Sequence, residues 1–177
     1  MAGQAGAINL MANNFNADLA YSQTASEEQF WADVYRKAFP NIVNQMPCPG
    51  DYESQRMGID RVILLSNGMT LRVDEKKRRI EYSDILIEFL SNDKTGALGW
   101  IEKNLAINYI AYAFMESRRV YLLDWMMLKR AWHKFGDDWK RRYPIIKAQN
   151  KTYTTHSVAV PTNVLLGCMR TAIIIEV

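Results

Sequence analysis

Cysteine is scarce in this chain: Cys48 and Cys168 are the only two in 177 residues, far apart and in no CxxC or Cys/His spacing. That argues against a disulfide framework and a structural zinc site, and it points to an intracellular, cytoplasmic setting in a bacterial or phage-infected cell. Histidine is just as rare. His133 and His156 have no carboxylate or nucleophile partner evident in sequence, so both read as surface or half-buried residues rather than catalysts. No apolar run approaches the roughly 18 residues of a membrane span, so no membrane partner is expected. The opening MAGQAGAINLMANNFNADLAY lacks the positive n-region and apolar h-region of a signal peptide. Internal repeats and low-complexity tracts are missing as well.

What is present fills a core. Hydrophobic residues make up 49% of the chain, with five Trp and nine Tyr, enough for one ordinary domain. We expect a loosely ordered extension over residues 1–24 and a single domain over 25–177. Net charge is +3, unevenly spread. Residues 1–60 hold three Arg or Lys against seven acids, a net −4, whereas residues 118–151 hold ten against three, a net +7. The later segment suits a polyanion.

ASEEQFWADVYRKAFP, at residues 25–40, predicts a helix capped by Ser26 and stopped by Pro40, with Phe30, Trp31, Val34, Tyr35 and Ala38 on its packed side. RVILLSNGMTLRV predicts a hairpin around Asn67-Gly68. A third strand follows at YSDILIEFL, then two more at about residues 108–115 and 119–124. WMMLKRAWHKFG reads as a helix over 125–136 with Gly136 as its stop, and the end suggests a short strand, Pro161 near a helix start, and a terminal helix. Together these elements make an α/β or α+β domain with a central mixed sheet. Trp100, Trp125, Trp132 and Trp139 read as core packing rather than a base-stacking platform.

One constellation has a chemical rationale: Asp60, and across the hairpin Asp74-Glu75-Lys76. Phosphodiester hydrolysis needs a divalent metal, and hard Mg²⁺ prefers carboxylate and carbonyl oxygens, which acids on adjacent strands supply. A lysine two residues after the second acid shares its strand face, where it can hold the attacking water. Register decides which acid takes part. A two-residue Asn-Gly turn sets Asp60 opposite Glu75 and prefers Glu75 with Lys77, whereas one extra loop residue or a bulge sets Asp60 opposite Asp74 and prefers Asp74 with Lys76. Glu81, Asp84 and Glu88 on the third strand either orient the site or are salt-bridged and solvated.

GIDRVILLSNGMTLRVDEKKR, with YSDILIEFL, GWIEK and YIAYAF after it, resembles the PD-(D/E)xK nuclease superfamily, in particular small phage or prophage-type proteins, across about residues 26–124. The resemblance implies a restriction-endonuclease-like α/β fold, a central mixed β-sheet flanked by helices. It implies a Mg²⁺-dependent DNA endonuclease, with Mn²⁺ as an alternative ion, in phage or mobile-element DNA processing or repair. The family's apolar residue before the acid matches Val73, which favours Asp60, Asp74 and Lys76 as catalytic. Asp60 and Asp74 would then bind the metal through carboxylates and Glu75 through its carbonyl. Glu27 or Glu28 matches the further acid sometimes found on the first helix. The alternative is an inactive nuclease-fold module that binds nucleic acid or protein. DNA is the implied partner, a homodimer stays open, and KRAWHKFGDDWKRRYPIIKAQNK offers Lys140, Arg141 and Arg142 for phosphates.

Overall fold

The first helix, α1, brings Phe30, Trp31, Val34 and Tyr35 onto one buried stripe, as their spacing dictates. In the computed structural model, which describes residues 24–169 and 171–177, α1 covers 24–38. Ser26 therefore lies inside the helix and is not its cap; Thr24 is already helical, and the rest of the expected 1–24 extension lies outside the described residues.

Strands β1 (Ile42–Pro47), β2 (Arg61–Leu65), β3 (Thr70–Arg78), β6 (Tyr109–Phe114), β7 (Arg119–Asp124) and β10 (Ala172–Glu176) form one sheet in the order β1-β2-β3-β6-β7-β10. Only the β3–β6 pairing is parallel, so the sheet is mixed. Between β3 and β6 the chain makes an excursion through β4 (Asp84–Asn92) and β5 (Ala97–Leu98). These two pair with β9 (Thr154–Pro161) and β8 (Ile145–Gln149) in a second sheet ordered β5-β4-β9-β8. The expected central mixed sheet is therefore present, and among the described residues a second sheet lies beside it. The third strand's partner is β9, about seventy residues away, and no local pattern encodes that pairing.

The mixed sheet is covered on both faces. One carries the α1 stripe against Ile63, Leu71, Val73, Ala111 and Leu122. The other carries Ile110, Tyr112 and Phe114 against the second sheet and helix α3 (Trp125–Arg142), beside which α4 (Thr162–Cys168) also packs. All four tryptophans from Trp100 onward are buried there. Helix α3 runs six residues past Gly136, correcting the expected stop. It ends where Tyr143, extended at φ −116°, ψ 155°, precedes Pro144, because a residue before proline is pushed out of the helical region. Gly136 serves packing instead: a Cβ there would stand 2.9 Å from the Trp132 indole. A short helix, α2 (Tyr52–Arg56), capped by Asp51 at 3.0 Å from the Ser54 N–H, delivers the chain to Asp60.

Candidate metal centre at the β2–β3 edge

The hairpin loop fixes the site. Leu65 N–H donates to the Met69 carbonyl at 2.9 Å, leaving Ser66, Asn67 and Gly68 as a three-residue loop, with Gly68 at φ +81° in the left-handed region that glycine adopts freely. The Asn67 side chain accepts from Met69 N–H at 3.0 Å, closing the turn locally. Arg61 consequently pairs with Val73 and Ile63 with Leu71. This is the register of the extra-residue alternative, and the ladder ends at Arg61 and Val73 with Asp60 as the next residue beyond it.

At that point β2 peels away. Asp60 N–H donates to the Val73 carbonyl at 2.9 Å, and Asp60 Oδ2 accepts from Glu75 N–H at 2.7 Å, replacing the backbone partner that the departing strand removes. The Val73 and Glu75 peptide groups thus both face the β2 edge. Within a strand a residue's N–H and C=O point the same way, so the Glu75 carbonyl is directed there too.

Strand alternation then sorts the side chains. Asp74 and Lys76 lie on the face of Ile110 and Tyr112, their partners on β6. Asp74 is only 2% exposed, accepts from Lys76 Nζ, and lies beside the Asp60 carboxylate. Burial, with the Asp60 carboxylate adding to it and Lys76 opposing it, pushes Asp74 up from 3.8 to about 7. Two neighbouring carboxylates, one of them buried, strain the ionised state that a dication relieves.

Glu75 and Lys77 face α1 instead. Glu75 Oε1 accepts from Arg61 Nε at 2.7 Å and from Tyr35 OH at 3.0 Å, and Arg61 reaches Glu28 at 2.9 Å. Lys77 pairs with Glu27. Burial raises Glu75, while Arg61 and Tyr35 pull it back; burial also raises Tyr35. The Glu75 side chain is therefore committed to Arg61, which leaves its carbonyl as its contribution to the edge. Glu27, Glu28, Asp60, Glu75 and Lys77 line a cleft of about 230 Å³ on this side.

Arg61, 2% exposed, is the residue the sequence reading passes over. Its signal is a charge immediately after Asp60 at a position whose alternation, with Ile63 and Leu65, points inward. Asp84 pairs with Arg78 at 2.6 Å and Glu81 with Arg119, so neither joins the edge. Lys140, Arg141 and Arg142 occupy the last turn of α3, each paired with Asp137 or Asp138 at 2.8 to 3.6 Å. No family model, curated protein or solved structure matches this chain.

Among the described residues no three His, Cys, Asp or Glu side chains converge as a metal group. An ion at the edge would therefore take the Asp60 and Asp74 carboxylates, the Glu75 carbonyl and water. That set fits Mg²⁺, which usually keeps several waters and uses one or two carboxylates, and it serves Mn²⁺ equally. No described helix is long and apolar enough to cross a membrane.

Proposed function

We propose that this protein is a Mg²⁺-dependent deoxyribonuclease with a restriction-endonuclease-like core of the PD-(D/E)xK kind, hydrolysing phosphodiester bonds in phage or mobile-element DNA. The observation that carries the reading is the Asp60 carboxylate beside buried Asp74, with Lys76 on the Asp74 carboxylate. A divalent cation held there supplies neutralisation of the scissile phosphate and a lowered pKa for a water. Asp74 must be ionised to take part, so its value of about 7 makes loading fall as the solution is acidified through neutrality. Lys76, a third exposed at its side chain, reaches from the protein toward solvent. It positions the attacking water and offsets negative charge as that oxygen bonds to phosphorus and the bond to the leaving oxygen breaks in line. Asp60, held by the Glu75 N–H, keeps its carboxylate oriented before any substrate arrives.

The test is cleavage of linear, circular, single-stranded and branched DNA with Mg²⁺ or Mn²⁺ by the wild type, Asp74→Ala, Lys76→Ala and Lys77→Ala. The wild type should cut at least one substrate, the first two variants should lose about 10²-fold or more, and Lys77→Ala should retain activity. Indistinguishable behaviour of all four proteins on every substrate would sink the enzyme reading. DNA binding without cleavage by the wild type would leave the inactive module.

A further inference from the structure

Between α3 and α4 lies a cleft of about 450 Å³, within the roughly 300–1,000 Å³ range of small-ligand sites. Met127, Ala131 and Phe135 form its apolar floor along α3, Gly167 contributes no side chain from α4, and Arg130 and Lys134 supply its charge. No acid lines it. These two cations differ from the others on α3. Lys129 is held by the Ile101 and Lys103 carbonyls, and Lys140, Arg141 and Arg142 are paired with Asp137 or Asp138. Arg130 has no hydrogen-bonding, ionic or ring partner among the described residues, and Lys134 meets only the Phe135 ring at 4.9 Å. Like charges four residues apart on a helix repel, and Asp137 and Asp138, the helix positions that could offset Lys134, are paired with Lys140, Arg141 and Arg142. Two solvent-facing cations over an apolar floor fit a ligand whose anionic and flat apolar parts lie side by side.

We infer that this cleft holds a nucleotide of a single DNA strand, with Arg130 and Lys134 on its phosphates and the unstacked base against Phe135 and Met127. A duplex keeps its bases stacked and offers nothing to the floor; an unpaired strand offers both parts. The inference rests on the reading that the protein acts on DNA and replaces the paired Lys140–Arg142 cluster with the unpaired cations as the main phosphate contact.

Fluorescence anisotropy of a labelled oligothymidylate with the intact protein in EDTA tests it without involving the metal edge. The variants are R130Q/K134Q, Gly167→Glu and K140Q/R141Q/R142Q. Nothing lies within 4 Å of a Cβ built at exposed Gly167, so the glutamate should place a negative charge at the cleft without disturbing α4. Both cleft variants should bind about tenfold more weakly, and R130Q/K134Q should lower the salt slope by about 1.4, the value for two lost single-strand phosphate contacts. The triple variant should change binding less. Unchanged binding by either cleft variant, a larger loss in the triple variant, or equally tight binding of thymidine monophosphate would overturn the inference. Cleavage by the wild type alongside unchanged cleft variants removes the inference alone. Absence of cleavage alongside cleft-dependent binding removes only the nuclease chemistry.

Discussion

Replacing Asp74 with asparagine should stabilise the metal-free protein, and only above a definable pH. The unfolded carboxyl titrates near 3.8 and the native one near 7, so between these values the native state binds a proton that the unfolded state has lost. Stability from this group is therefore complete below about 3.8, falls as pH rises, and is gone above about 7. The difference corresponds to an order-of-magnitude cost of about 4 kcal/mol for keeping Asp74 ionised at alkaline pH. Asparagine removes that cost while matching the side chain's size, and Lys76, part exposed, can turn to water. Thermal melts in EDTA should show Asp74→Asn ahead of wild type by about 10 °C near pH 8.5, taking about 2–4 °C per kcal/mol for a chain of this size, with the gap closing toward pH 4. Mg²⁺ or Mn²⁺ should narrow the alkaline gap by raising the wild type alone. A gap that is constant with pH, or a variant less stable than wild type at alkaline pH, would refute the reasoning from buried charge.

Two further perturbations probe the frame around the edge. Arg61→Leu strands Glu75 in a buried setting with only Tyr35 for support and should cost about 3–5 kcal/mol in urea unfolding, while Arg61→Leu/Glu75→Leu should recover most of it. Gly136→Ala, which would stabilise an exposed helix by about 1 kcal/mol, should instead destabilise by about 1–3 kcal/mol. Its Cβ meets the Trp132 ring, which the Glu102 carboxylate holds at 2.9 Å.

Local signals were legible. The α1 stripe, the Asn-Gly hairpin and the β6–β7 pair each depend on neighbours in sequence, and the structure places them near their expected limits. Edge strands were harder. β1 runs into Pro47, β8 lies in a stretch read as a basic phosphate-binding segment, and β10 follows an expected terminal helix; each is held by a partner strand that its own residues do not announce. At the candidate site, Asp60, Asp74 and Lys76 follow from residue type and spacing, but the choice between registers turned on whether the ladder closes at Leu65 and Met69 or one step tighter. Both turns use Asn-Gly, so composition alone leaves the choice open. The burial of Arg61 depends on α1 lying across the hairpin, a long-range contact.

The hairpin also governs which changes the protein can tolerate over time. Ser66 and Asn67 are exposed, and most substitutions there alter only the turn. Loss of Ser66 leaves Asn67-Gly68 as a two-residue turn between Leu65 and Met69, so Ile63 keeps Leu71 and Arg61 keeps Val73. Loss of one codon inside β2 is a different event, because the residues before it move one place along β3, which turns Arg61 off the α1 face and Asp60 away from the side of Asp74. A lineage carrying this hairpin can therefore drift in the loop while the letter count from Asp60 to Leu65 stays under selection, and a deletion scan across residues 61–68 would separate the two.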